Sequence, residues 1–185
     1  MPRKREINVR PYTSLRASSV FLLVYSFSIA VTGELAFSPP GYVSAVVSTA
    51  SLLAFGVLAR KSFDQMAENF SLAVKVFPIL VVGQAIFLVF YFMNARGLFS
   101  ILEFVGELLV LAYLLEFAME VLRLSSFLNL RELKVSGYVL VAALVGFVIL
   151  GFTVLSFLVF GFLLTVASLS LFYGLSRVIS RDTSR

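Results

Sequence analysis

The sequence contains no histidine and no cysteine, and Asp64 and Asp182 are its only aspartates. The absence of His and Cys excludes histidine-ligated haem or copper, zinc–thiolate sites, iron–sulfur clusters and cysteine nucleophiles. Disulfides cannot form, so cysteine usage does not indicate a redox compartment. A paired-aspartate intramembrane site is excluded as well, and no glycine-rich nucleotide-binding motif occurs. We therefore expect no cofactor, no metal ion and no enzymatic activity.

Charged residues are scarce too, since they make up 14% of the 185 residues, against about 25% in soluble domains. Hydrophobic residues account for 60%, and the mean hydropathy is +1.01. The longest segment without strong hydrophobicity is the first 16 residues, which leaves no room for a separate soluble domain. The composition therefore predicts an all-α integral membrane protein that forms one helical bundle.

Six segments are apolar enough to span a membrane as helices, which takes about 20 residues each. They cover about 17–36, 42–59, 72–93, 100–122, 136–152 and 156–176. The last two belong to one apolar run that would be about 60 Å long as a single helix, twice the thickness of the hydrocarbon core. We therefore predict a tight turn at Gly151, Thr153 and Ser156. The predicted transmembrane domain covers 17–178, between cytoplasmic tails at 1–16 and 179–185.

The distribution of Lys and Arg predicts the orientation. Fourteen of the fifteen lie in the tails or near the loops that follow the second and fourth spans, and only Arg96 lies on the other side. The positive-inside rule then predicts a multi-pass protein of the cell membrane with both termini in the cytoplasm. The net charge of +5 indicates anionic lipid headgroups as partners rather than nucleic acid. We expect these lipid contacts in the basic N-terminal tail, at Arg3, Lys4, Arg5 and Arg10.

A short amphipathic segment follows the second span. Its apolar residues recur at helical spacing, at Phe63, Met66, Ala67 and Phe70. Ser62 and Gln65 have the spacing of a capping box, which is typical of a helix start. The pattern predicts a short interfacial helix near 62–70. The alternative is that the third membrane helix begins early, in water.

The fourth span carries four carboxylates, Glu103, Glu107, Glu116 and Glu120. At 100° per residue, the first two lie on one face of the helix and the last two on roughly the opposite face. Ser100 and Glu103 have capping-box spacing, which explains Glu103 as part of a helix start. An ionisable group within the membrane costs about 2.5–3.5 kcal/mol. Glu107 and Glu116 therefore need polar surroundings.

Two sets of polar contacts are predicted from these positions. The first is a candidate intramembrane polar site of Gln84, Glu107 and Glu116, in which Gln84 is the natural hydrogen-bond partner of Glu107. It is either a structural polar contact that holds helices together or a functional site. The second is a set of structural ion pairs among Lys75, Glu116, Glu120 and Arg123. The alternative for Lys75 is that its side chain extends to the cytoplasmic interface.

Small residues four positions apart recur on several spans. Ser26 and Ala30 form such a pair in the first span, and Ala142 and Gly146 form another in the fifth. Small residues at this spacing let helix backbones approach closely within a membrane. The pattern predicts closely packed helices.

Three parts of the chain carry a family resemblance: the basic N-terminal tail, the stretch "SFDQMAENFSLAVKVF" and the final hairpin "SGYVLVAALVGFVILGF…GFLLTVASLSLFYGLSRV". In these parts the chain resembles families of small membrane proteins with five to six spans and no assigned activity, found mainly in archaea. The resemblance implies a polytopic helical fold. It supplies no functional residues.

Three functional hypotheses remain open. The first is a non-enzymatic membrane protein that acts by association, as a homo-oligomer or as an accessory subunit of a membrane complex. The second is a small transporter or channel with a site near the middle of the membrane at Gln84, Glu107 and Glu116. The third is a lipid-modifying enzyme. For this the chain offers only a small cytoplasmic set of acidic and basic residues: Asp64, Glu68, Arg131 and Glu132. Convergence of the glutamates on one water-accessible cavity would favour transport.

Overall fold

The structure is a computed structural model that describes residues 10–66, 70–93, 98–151 and 153–183. The described residues form an all-α bundle of six helices. These are α1 (Arg10–Glu34), α2 (Pro39–Gln65), α3 (Ser71–Phe92), α4 (Leu98–Leu128), α5 (Arg131–Leu150) and α6 (Val154–Thr183). Each predicted span corresponds to one of these helices, which confirms the predicted fold class.

The helices form a closed ring in chain order. Each helix packs against the one before it and the one after it, and α6 packs against α1 to complete the ring. At this seam, Ser26 and Thr165 share a hydrogen bond of 2.9 Å between their hydroxyl oxygens. The Gly161 backbone lies against the carbonyl of Ser26, so close that a Cβ there would be 2.7 Å from that oxygen. The pair of small residues in α1 thus lets α6 approach closely, as predicted.

The chain reversals between helices have local causes. Ser38 precedes Pro39 and Pro40 and accepts a hydrogen bond from the backbone N–H of Gly41, which caps the start of α2. Asn129 separates α4 from α5 with a φ of 51°, a left-handed conformation that Asn tolerates.

The turn between α5 and α6 lies where the sequence predicts it. Gly151 has a φ of 66°, which favours glycine. Thr153 and Ser156 then exchange hydrogen bonds between backbone N–H groups and side-chain hydroxyls, at 3.1 and 3.2 Å. This reciprocal pattern starts α6.

The short interfacial helix predicted near 62–70 is wrong in its first half. Residues 62–65 continue α2 without a break. Ser62 does not cap a helix start; its buried hydroxyl donates to the carbonyl of Pro11 and ties the end of α2 to the start of α1. A helix that gains such a tertiary contact has no reason to end at Arg60. Residues 67–69 lie outside the described residues.

The helices extend beyond the predicted spans at one end of the bundle. α1 begins at Arg10 and α6 continues to Thr183, so parts of both predicted tails are helical. Within the described ranges, five helices are long and apolar enough to cross a membrane: α1, α2, α3, α5 and α6. The sixth, α4, carries the four glutamates. Large apolar side chains are exposed around the bundle, including Phe27, Ile149 and Phe162. The chain is therefore a membrane-embedded protein.

Charge divides the bundle into two ends. One, which we call the basic end, is where α1, α3 and α5 begin and α2, α4 and α6 end. Its described Lys and Arg residues are Arg10, Arg16, Arg60, Lys61, Lys75, Arg123, Arg131, Lys134, Arg177 and Arg181. At the opposite end, which we call the acidic end, the described charged residues are Glu34, Glu103 and Glu107. Arg96 belongs to a segment outside the described residues.

The half of the bundle towards the basic end has a packed aromatic centre. Phe55 and Phe63 of α2 contact Phe117 of α4, with ring centroids 4.7 and 5.9 Å apart. Tyr113 lies edge-on to Phe55 at 6.4 Å. All four rings are fully buried. They fill the middle of the ring between α2 and α4.

Candidate functional site

A pair of glycines brings α3 and α4 together at the level of the predicted polar site. A Cβ on Gly106 would lie 2.8 Å from the backbone nitrogen of Phe87 and 2.9 Å from the carbonyl oxygen of Gly83. Only two glycines permit this backbone contact. The next residue in each helix is a site residue, Gln84 in α3 and Glu107 in α4. The contact therefore positions their side chains.

Gln84 and Glu107 line one small cavity, which we call the narrow cavity. Its volume is about 20 Å³, which is room for about one water molecule. All six helices contribute to its wall, so it lies on the axis of the ring. The lining residues are Tyr25, Ile29, Ser48, Gln84, Phe87, Glu107, Val110, Leu111, Phe147, Phe157 and Phe160.

Gln84 is the polar residue that the fold leaves least satisfied in this cavity. Its side chain is 4% exposed, and its Oε1 atom has no hydrogen-bond partner among the described residues. Burial of an amide oxygen without a donor costs about 1–3 kcal/mol. Ser48, by contrast, donates to the carbonyl of Ala45. The narrow cavity thus presents an acceptor that lacks a donor, beside a carboxyl group.

A second cavity, which we call the wide cavity, lies between the narrow cavity and the acidic end. Its volume is about 460 Å³, within the range of small-molecule sites. It shares Phe87, Glu107 and Phe157 with the narrow cavity. Its remaining lining residues are Thr32, Gly33, Ala36, Phe37, Tyr91, Glu103 and Phe104. Glu107 is therefore the carboxyl group at the junction of the two cavities.

Aromatic rings form much of the wall of the wide cavity. Phe37 stacks on Tyr91 with ring centroids 5.4 Å apart, and Phe87 lies 5.5 Å from Tyr91 on the other side. Phe37 adopts a φ of 60°, a backbone conformation that bulky residues rarely accept. This strained position brings its ring to the wall of the cavity.

The Asp, Glu, Lys and Arg side chains that line the two cavities are all acidic. Glu103 and Glu107 are one helical turn apart on α4 and both are half-buried. Among the described residues that line either cavity, none is Lys or Arg. Low-dielectric walls around charges of one sign raise the local concentration of ions of the opposite sign. In their ionised form, these two carboxyl groups attract cations.

Glu116 lies apart from Gln84 and Glu107. It is half-buried on another face of α4 and does not line either cavity. The cause is the helical angle between Glu107 and Glu116, which turns the two side chains towards different neighbours. The structure thus brings together two of the three predicted site residues.

The predicted ion pairs form only in part. Arg123 Nη1 lies 3.2 Å from Glu120 Oε1, one turn away on α4. Lys75 is exposed, and no ion pair joins it to Glu116 or Glu120 within the part of the chain that the structure describes. A surface lysine loses little by staying solvated, whereas a cross-helix pair costs side-chain entropy. An ion pair that the sequence did not indicate joins Arg177 of α6 to Glu132 of α5, at 2.5 Å.

Glu103 is the site residue that sequence reasoning misassigned. α4 is already helical at Leu98, so Ser100 lies inside the helix and not at the position of its N-cap. Glu103 lines the wide cavity instead. The sequence did contain a signal for this role, because Glu103 lies one helical turn from Glu107 and therefore on the same face of α4. Of the predicted lipid-binding tail, Arg3, Lys4 and Arg5 lie outside the described residues.

Comparison with models of protein families, with proteins of curated function and with solved structures finds no match to this chain. Function is therefore inferred from the chemistry of the two cavities.

Proposed function

We propose that the protein is a membrane carrier for small cations and that Glu107 is its principal binding group. The observation that supports this most directly is the position of Glu107, which lines both the wide cavity and the narrow cavity. A cation that enters from the acidic end meets Glu103 first and Glu107 at the end of its path. A carboxylate held within a membrane protein is costly unless a cation, a proton or hydrogen-bond donors match it.

A carrier fits the bundle better than an open channel does. Beyond the narrow cavity, the axis of the ring is filled by the buried rings of Phe55, Phe63, Tyr113 and Phe117. The path from the acidic end therefore stops about halfway through the bundle. A binding site that is open to one side and closed to the other is what one state of an alternating-access carrier presents.

The test is cation flux into liposomes that contain the purified protein. Flux of protons, K⁺ and methylammonium is measured for the wild type, for Glu107→Gln and for Glu116→Gln. Glu116 is a matched control, because it is a half-buried glutamate of the same helix that lines neither cavity. We expect Glu107→Gln to abolish the flux of at least one cation and Glu116→Gln to retain it. Equal flux of every cation in all three proteins would overturn the proposal.

Association with other membrane helices is a second candidate function, and α5 carries the observation that favours it. Ala142 is exposed, and a Cβ on Gly146 would meet nothing within 4 Å. Ala142 and Gly146 therefore do not pack within the bundle, although the sequence predicts close packing for this pair. A face of small residues turned to lipid suits close approach of another helix.

Native mass spectrometry after extraction in mild detergent tests this association. If the face mediates it, Gly146→Leu shifts the protein from a higher-mass species to the monomer. A Gly161→Leu variant is not a suitable control, because Gly161 packs inside the ring against Ser26. Val135→Leu, at an exposed position of the same helix, serves instead. A monomer in the wild type contradicts the association hypothesis.

A further inference from the structure

We infer that the cation is a protonated primary amine with an apolar body. Its ammonium group occupies the narrow cavity between Glu107 and Gln84, and its body lies among the aromatic rings of the wide cavity. This inference rests on the proposed function and specifies its substrate class. Three features of the cavities carry it: an acceptor without a donor, the size of the narrow cavity, and the aromatic wall.

The first feature is the Oε1 atom of Gln84. It is buried without a hydrogen-bond partner among the described residues, and it lines the same cavity as Glu107. An amide oxygen and a carboxylate are both acceptors. A ligand that satisfies both must bring hydrogen-bond donors, and the carboxylate favours one that also carries a positive charge. A primary ammonium group carries three N–H donors, whereas a quaternary ammonium group carries none.

The second feature is size. The narrow cavity, at about 20 Å³, accommodates a single water-sized group. A primary ammonium group is of that size. A trimethylammonium group is larger than a primary ammonium group by three methyl substituents. The walls of the narrow cavity, which include Phe147, Phe157 and Phe160, leave no space for them. The packed cavity wall therefore selects against methylated amines.

The third feature is the wide cavity, which is too large and too aromatic for a bare inorganic ion. Its walls are mostly apolar and aromatic, and the ring of Tyr91 contacts those of Phe37 and Phe87. Such walls bind an apolar body, and aromatic faces also attract cations. Among the described residues, no group of three or more carboxylates is placed to hold a metal ion. The chemistry matches an organic ammonium ion.

Equilibrium binding tests the inference. The protein is placed in nanodiscs of phosphatidylcholine, and radiolabelled phenethylammonium is titrated against N,N,N-trimethylphenethylammonium and K⁺ as competitors. We expect phenethylammonium to bind and its trimethyl analogue to bind about tenfold more weakly or worse, because a site built to donate or accept hydrogen bonds rejects ligands that lack them. Equal affinities for the two amines, or effective competition by K⁺, would overturn the inference.

Two variants assign the binding groups. Glu107→Gln should weaken phenethylammonium binding about tenfold or more, since it removes a hydrogen bond to a charged group. Gln84→Met keeps the length of the side chain but removes the acceptor, and should weaken the primary amine while leaving the trimethyl analogue unchanged. Glu116→Gln should bind like the wild type. A Gln84→Met variant that folds and retains the selectivity for the primary amine would contradict the role of Gln84.

This experiment separates the substrate class from the carrier function. Glu107-dependent flux of K⁺ or protons, together with equal binding of the two amines, would reject the primary amine and retain the carrier. Nanodiscs with phosphatidylethanolamine distinguish a free amine from a lipid headgroup, since both present a primary ammonium group. Unchanged phenethylammonium affinity in these discs identifies a free amine, and weakened affinity identifies the lipid headgroup as the source of the same chemistry.

Discussion

At the scale of single residues, Gln84 and Tyr113 each bury an oxygen that has no hydrogen-bond partner among the described residues, and the two oxygens differ in what surrounds them. The hydroxyl of Tyr113 lies in the aromatic centre between α2 and α4, whereas Oε1 of Gln84 lies at the narrow cavity. Each imposes a desolvation cost on the folded protein. Of these two oxygens, only that of Gln84 lies at a cavity, where a ligand can donate a hydrogen bond and offset the desolvation cost.

This difference predicts that the two substitutions have the same effect on stability and that only one of them affects amine binding. Tyr113→Phe and Gln84→Met should each raise the free energy of unfolding by about 1 kcal/mol, because each removes a buried oxygen without a partner. Only Gln84→Met should weaken amine binding. Thermal unfolding in detergent and the nanodisc titration measure the two quantities. A loss of stability above about 1 kcal/mol in Tyr113→Phe would indicate that its hydroxyl has a partner.

At the scale of helices, the contact between α3 and α4 decides whether the site exists. Gly83 and Gly106 let the two backbones touch, and this contact places Gln84 and Glu107 at the same cavity. Because the clashing atoms at Gly106 are backbone atoms, a larger residue cannot be accommodated by a side-chain rotation. The helices must move apart.

Gly106→Ala should therefore lower the free energy of unfolding by about 1–3 kcal/mol, as overpacking of a tight contact does. It should also weaken amine binding, since Gln84 and Glu107 separate. Gly146→Ala is the matched control, because its Cβ meets nothing within 4 Å. Alanine favours a helix over glycine by about 1 kcal/mol, so this control should be as stable as the wild type or more so. Chemical denaturation of both variants decides between these outcomes.

The sequence predicts the elements well and the site only in part. Hydropathy and turn residues locate six helices and the reversal at Gly151, because both depend on local chain properties. Helical angle separates Glu107 from Glu116, but it cannot tell which neighbouring helix each face meets. The capping-box spacing of Ser100 and Glu103 was misleading, since α4 is already helical at Leu98. Cavities depend on packing between helices distant in sequence, so no local pattern predicts them.

At the scale of the whole molecule, the bundle has a basic end and an acidic end, and the cavities lie towards the latter. The positive-inside rule predicts that the basic end lies in the cytoplasm. In that orientation, the wide cavity would face the outside of the cell. A cation would be drawn to this face by the described glutamates Glu34, Glu103 and Glu107.

This orientation can be measured with single cysteines, because the native chain has none. Leu35→Cys lies at the acidic end and Ser126→Cys at the basic end, and both positions are exposed. A membrane-impermeant maleimide should label Leu35→Cys in intact cells and Ser126→Cys only after permeabilisation. The reverse pattern would place the wide cavity on the cytoplasmic side.

The closure of the ring between α1 and α6 also has a consequence for biogenesis. Five of the six extensive helix contacts among the described residues join neighbours in the chain, so each can form soon after the ribosome delivers its second helix. The contact between Ser26 and Thr165 must wait until synthesis is nearly complete. Phe157 and Phe160, which α6 supplies to the cavities, arrive with it. A nascent chain would therefore acquire its binding site only in the final step of folding, after every other helix has been inserted.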